Sequence, residues 1–264
     1  MKEKKKVTKH VIGHILILIK KWQLASSNGV SRPFVEGIVF SNEGAKGRKP
    51  LFDCSYSLTK DIFVYWKNEK EGVLEISASE PGYEIKAPKR MEGAFAGARL
   101  PSSLELLDVS HLDVSLSNNF RNCFRSFGYV NERQIVGLDK WNMENANDLA
   151  WMFGNFCPKN KEINLNVSGW DLQYCHSLAG VFDNFGKNAK TINIVGLESW
   201  SLPKGYTDMD VMFRNFGDNA NYFLDLTNWA VDKKVKHKNF AKNTFFKIKE
   251  PVWEQEEWEE IGIS

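Results

Sequence analysis

The stretch Ile163-Asn-Leu-Asn-Val167-Ser-Gly-Trp170-Asp-Leu172-Gln-Tyr-Cys-His176-Ser-Leu178-Ala-Gly-Val-Phe182-Asp-Asn-Phe185-Gly186 decides the reading of this chain, because it recurs. It opens with period-two alternation that puts Leu165 and Val167 on one face of a strand. An anchoring Trp170 follows. Leu178, Phe182 and Phe185 are then spaced i, i+4, i+7, which predicts one face of a helix of about two turns. Asp, Asn or Ser stands ahead of such segments as an N-cap, and Gly128, Gly186 and Gly217 suit a left-handed C-cap.

Outward from this unit the period holds in both directions. Leu112, Trp141, Trp170, Trp200 and Trp229 are 29, 29, 30 and 29 residues apart. Phe95, Phe124, Phe153 and Phe182 are each 29 apart, Phe213 follows after 31 and Phe240 after 27. Two independent anchors keeping one period are a repeat signature, and a unit this small cannot bury its apolar face alone. The expected fold is an α/β repeat, a leucine-rich-repeat-like solenoid of five to six strand–helix units with stacked Trp and Phe at its centre. Residues 1–34 read as a basic N-terminal segment or cap, 35–88 as an N-terminal β cap, 89–248 as the repeats and 249–264 as an acidic C-terminal cap.

Counting back from the anchor, positions minus five and minus three are always apolar, as in Leu107 and Val109 or Val136 and Leu138. Position minus six holds Leu106, Ile135, Asn164, Ile194 and Phe223. By alternation these face away from the core set and form a candidate docking stripe.

Several of these residues carry a resemblance. Leu107-Asp-Val-Ser110 with Leu112-Asp113, Val167-Ser-Gly-Trp-Asp171, Leu224-Asp-Leu-Thr-Asn-Trp229, and the pairs Met152-Phe153 and Met212-Phe213 resemble the BspA-like leucine-rich repeats of bacterial surface proteins and mollicute lipoproteins. The resemblance covers about residues 85–248. It implies a right-handed strand–helix coil and an adhesin-like or phage- or host-associated binding role.

Composition is that of an ordinary globular chain: 264 residues, 42% hydrophobic and 26% charged. Lys plus Arg is 35 against 33 acids, a net charge of +2, which excludes a globally basic nucleic-acid binder and an acidic disordered chain. The lysine-rich start running into Val11–Trp22 reads as a capping element, as a membrane-surface helix over Lys2–Trp22, or as a degenerate export signal. The C-terminus carries the opposite charge, so the two ends could also join copies head to tail. Cys54, Cys123, Cys157 and Cys175 show no close pairing and read as free apolar thiols. Unpaired cysteines, with neither a lipobox nor a clear cleavage site, favour the cytoplasm; the resemblance favours the cell surface.

No constellation for catalysis stands out. The five histidines are scattered, Gly44-Ala-Lys-Gly-Arg-Lys-Pro50 lacks phosphate-loop spacing, and Cys175 beside His176 is adjacency alone. The chain therefore reads as a non-enzymatic, cofactor-free binding protein whose partner is a protein. Lys233, Lys234, Lys236 and Lys238 begin a basic patch running to Lys249 that would suit an anionic ligand without specific nucleic-acid recognition. The alternative is a structural subunit self-assembling through its oppositely charged ends.

Overall fold

The computed structural model describes residue 19 and residues 35–53, 62–83, 85–244 and 247–253. Its strands are β1 (Gly37–Ser41), β2 (Phe52–Asp53), β3 (Ile62–Asn68), β4 (Val73–Ala78), β5 (Ile85–Lys86), β6 (Leu106–Asp108) and β7 (Leu112–Asp113). They continue with β8 (Gln134–Val136), β9 (Glu162–Asn166), β10 (Thr191–Val195), β11 (Thr207–Asp208), β12 (Leu224–Asp225), β13 (Val235–Lys236) and β14 (Ile248–Lys249). Residues 35–88 do not form a separate sheet. β3 and β4 are an antiparallel hairpin, β1 lies parallel to β4 on one side and to β6 on the other, and β6 pairs with β8. The order β2-β3-β4-β1-β6-β8 thus runs from the N-terminal hairpin straight into the repeats. Within this region Arg48, from the glycine-rich basic loop, reaches in with both Nη atoms at 2.9 Å to the buried Glu75 carboxylate.

Strand–helix units do not form, and the expected α/β architecture is corrected here. The described residues of the repeats contain no α-helix; they are short strands and turns, with single 3₁₀ turns such as Leu138–Lys140 and Leu197–Ser199. The segments read as helices are chains of tight turns instead. In Leu149–Phe156 the N–H groups of Leu149, Trp151, Phe153 and Asn155 donate to the next coil, to the carbonyls of Ser177, Ala179, Val181 and Asp183. The intervening N–H groups of Met152, Gly154 and Phe156 close i→i−3 turns on their own coil. A helix would have bonded every N–H past its first turn to the carbonyl four residues back in the same coil.

Every fourth residue of these segments is left-handed: Asn122 and Ser126, Trp151 and Asn155, Gly180 and Asn184, Val211 and Asn215, Asn239 and Asn243. Asn and Gly are the residues that tolerate this conformation. The asparagines also bond coil to coil, Asn215 donating to Asn184 at 3.0 Å and Asn243 to Asn215 at 2.7 Å. Gly128, Gly186 and Gly217 are left-handed too, but they follow turns rather than helices.

Apolar side chains fill the space inside the coils. Phe95, Phe124, Phe153, Phe182 and Phe213 stack face to face with centroids 5.2, 5.5, 5.6 and 5.2 Å apart. A second column, Phe127, Phe156, Phe185 and Phe216, stacks at 5.4, 5.1 and 5.1 Å. Within a coil the two columns meet edge to face, the other favourable aromatic geometry. Trp170, Trp200 and Trp229 stack at 5.6 and 6.1 Å. Each anchoring indole Nε1 donates to a carbonyl of the preceding coil, as Trp170 does to Leu138 at 2.9 Å. Trp253 closes the far end, stacked on His237 at 4.1 Å and edge-on to Phe240 at 5.0 Å.

Two kinds of coil alternate. In one, the strand ends in an Asx turn: Asp108, Asn166 and Asp225 accept the N–H of Ser110, Ser168 and Thr227. In the other, a left-handed glycine is inserted after the strand, Gly137 (φ 90°) or Gly196 (φ 89°), and leads into the 3₁₀ turn. A Cβ on Gly137 would lie 2.4 Å from the Ser110 backbone nitrogen, and one on Gly196 2.3 Å from Ser168 Cα, so the glycine of one coil seats the Asx turn of the coil before it. Parallel ladders join the first two Asx coils to the glycine coils that follow, β6 to β8 and β9 to β10, and the third to β14. No ladder joins β8 to β9 or β10 to β12 among the described residues.

Candidate functional site

The outward face of the strands is the first surface to examine, and it differs from the predicted stripe. Ile135 and Ile194 are buried, Leu106 is half-buried, and Asn164 and Phe223 are exposed. The register explains the correction. Ile135 pairs with Leu107 and Ile194 with Leu165, because Gly137 and Gly196 add one residue between strand and tryptophan. A one-residue slip exchanges the faces of a strand. The outward residues are instead Val136 and Val195, 44% and 47% exposed, on the same row as the turn-forming Asp108, Asn166 and Asp225. Beside them run Leu106, Gln134, Asn164, Asn193 and Phe223, with Phe223 59% exposed. A shallow groove of about 280 Å³ crosses this face between Val136, Gly137, Asn164, Asn193 and Val195.

A larger cavity of about 830 Å³ lies where β8 and β9 fail to pair. Both strands line it, together with Phe156, Cys157, Asn160 and Arg133. At one end a side chain replaces the missing backbone ladder. The Arg133 N–H donates to Asn160 Oδ1 at 3.0 Å, and Asn160 Nδ2 donates to the Arg133 carbonyl at 2.7 Å. At the other end the Trp170 indole bonds to Leu138 across the same junction.

Arg133 is 2% exposed and forms no salt bridge among the described residues. Its Nε donates to Asn131 Oδ1 at 3.0 Å and its Nη2 to the Pro101 carbonyl at 2.7 Å, both neutral acceptors. The guanidinium carbon sits 5.7 Å from the Phe127 ring centroid. Its Nη1 is buried without a hydrogen-bond partner among the described residues. Burial pulls the guanidinium pKa down, as expected for a cation removed from water without a counter-ion. The sequence reading missed this residue, since one arginine in a loop gives no periodic signal. The exposed carboxylates Glu105, Glu132 and Glu162 and the ammonium of Lys161 stand at the rim.

The lysine patch is only partly free. Lys236 lies 5.6 Å from the Tyr206 ring centroid, and its pKa is raised first by hydrogen bonding to Tyr206. Lys249 pairs with Asp225 at 2.9 Å, whose carboxyl is held down to about 2 first by the Thr227 hydroxyl and then by Lys249, and Lys247 reaches the Ala220 carbonyl. Lys233, Lys234 and Lys238 are exposed. No group of three or more His, Cys, Asp or Glu residues suited to a metal ion occurs among the described residues. Cys123, Cys157 and Cys175 are free and buried. The proposed membrane contact over Lys2–Trp22, Cys54, and the acidic residues 254–264 lie outside the described residues, Ile19 apart. No described helix is long and apolar enough to cross a membrane.

Comparison with known proteins returned one kind of relative. No curated protein and no solved structure matched the chain. A family model described as "Mycoplasma protein of unknown function, DUF285" matches residues 89–229, over half of the chain and nearly all of the stacked coils. The chain belongs to this mycoplasma family, DUF285.

Proposed function

We propose that the chain is a non-catalytic recognition protein that docks a protein partner on the outward face of its strands. The observation that carries this reading is the make-up of that face. Valines at 136 and 195 and an exposed Phe223 are set among Asp and Asn side chains held by Asx turns and by the Asn193–Asn164 contact at 3.5 Å. Apolar anchors within a rim of polar groups are the anatomy of a protein interface. The finer family reading, a BspA-like repeat with an adhesin-like role, is supported by the Leu-Asp-Val-Ser and Met-Phe residues and by membership of a mycoplasma family. It rests on analogy between families and not on site geometry.

Photo-crosslinking in the producing cell tests the docking face. A photoreactive phenylalanine analogue at Val195 is expected to give a discrete protein adduct that is absent when the probe sits at exposed Glu144 and is lost on Phe223→Glu. Equal labelling from both positions, or no adduct from Val195, refutes the reading.

A further inference from the structure

We propose that the cavity between β8 and β9 is a site for the free C-terminus of a short peptide, with Arg133 receiving its carboxylate. Two independent features converge there. The first is Arg133 itself: a cation 2% exposed, bonded to two neutral oxygens, with Nη1 unpartnered among the described residues. A buried charge of this kind is costly unless an anion meets it, and a carboxylate oxygen is the natural acceptor for a guanidinium N–H. The second is the wall and rim. Phe156, Ile135 and Ile163 supply apolar surface for a terminal side chain, while Glu105, Glu132 and Glu162, against the single ammonium of Lys161, set net negative charge at the mouth.

That rim selects among anions. A multiply charged phosphate would meet three carboxylates against one ammonium on entry, whereas a peptide brings one carboxylate inward and its ammonium outward. The volume, about 830 Å³, falls within the small-ligand range and exceeds what a single amino acid fills. Asn160 braces the site by clamping the Arg133 backbone on both its N–H and its carbonyl.

The experiment is calorimetric titration of the intact chain with the tripeptide Ala-Ala-Leu as free acid and as C-terminal amide. The free acid is expected to bind saturably, and the amide about tenfold or more weaker, which corresponds to about 1.4 kcal/mol. Arg133→Met should abolish the difference between acid and amide. Equal affinities for the two forms in the unsubstituted chain, or no saturable heat from the free acid, overturns the proposal even if the Arg133 variant fails to fold. Phe223→Glu, on the docking face, should leave tripeptide binding unchanged, so this site and the protein-docking reading fail separately.

Discussion

Phe182 is where the aromatic stacking can be tested most severely. Its ring is fully buried and touches five others: Phe153 at 5.6 Å and Phe213 at 5.2 Å face to face, Phe185 at 5.6 Å and Phe216 at 6.1 Å edge-on, and Trp200 at 6.1 Å. Truncating a buried Phe to Ala costs about 3–5 kcal/mol in transfer and cavity terms. Each well-placed aromatic pair contributes about 0.5–1.5 kcal/mol beyond burial, which places Phe182→Ala at the top of that range, about 5 kcal/mol. Against a typical total stability of about 5–15 kcal/mol this is a large fraction. Urea unfolding followed by tryptophan fluorescence reads it, with Phe182→Leu, which keeps most of the volume, as the comparison. Phe240 closes the column, meeting Phe213 and Trp253 edge-on, so Phe240→Ala should cost about half as much. A cost under about 1.5 kcal/mol at Phe182, or equal costs at the two positions, would refute the idea that the rings support one another from coil to coil.

Other perturbations probe the backbone and the thiols. Gly196→Ala should destabilise by about 3 kcal/mol or more in the same assay, since its Cβ would meet Ser168 backbone atoms at φ 89°; Ser168→Gly should not rescue it, because the clash is with main chain. Val211 is a β-branched residue at φ 52° in a row otherwise holding Asn122, Trp151, Gly180 and Asn239, so Val211→Asn should raise stability by about 1 kcal/mol, read as an upward shift in Tm. Burial pushes the Cys175 thiol up to about 12 and raises Cys123 and Cys157 as well. Unfolded thiols ionise near about 8.5, so the stabilisation from keeping them neutral is complete below that pH. Above it the unfolded chain loses protons that the folded chain keeps, and stability falls by up to about 1.4 kcal/mol per pH unit per thiol. Cys175→Ala should flatten this alkaline decline in urea midpoints between about pH 8 and pH 10, and an unchanged slope would contradict the assignment.

The period, the strands and the Trp and Phe columns were legible because burial fixes residue type at a fixed separation. The turn segments misled because i, i+4, i+7 spacing is common to a helical face and to a chain of four-residue turns. What separates them is residue chemistry: Asn122, Asn155, Asn184, Asn215, Asn239 and Asn243, with Gly180, occupy the left-handed positions that a helix does not contain. The outward stripe was misassigned because counting back from tryptophan assumes a constant distance, and Gly137 and Gly196 lengthen it by one in alternate coils. Arg133 was invisible for a different reason. Its significance lies in a buried guanidinium bonded to neutral oxygens and paired with no carboxylate among the described residues, which depends on how the loops fold over Pro101 and Asn131.

The alternation of coils also bears on where a ligand can enter. Within each pair the glycine of one coil interlocks with the Asx turn of the other, and the parallel ladder saturates the facing strand edges. Among the described coils, the strands lack a ladder partner at the junctions between pairs, β8–β9 and β10–β12. At the β10–β12 junction one end is bridged through backbone, Thr191 pairing with Asn221 and the Asn221 N–H donating to the Lys190 carbonyl at 2.7 Å, and the Trp229 indole bonds to Leu197 at the other end. At β8–β9 the first end is bridged by the Asn160 side chain instead, on the backbone of Arg133, and the Trp170 indole bonds across at the other end. The two junctions thus differ in one bridge, backbone at β10–β12 and side chain at β8–β9, and the side-chain bridge is the one that grips the backbone of the buried cation, beside the cavity it lines.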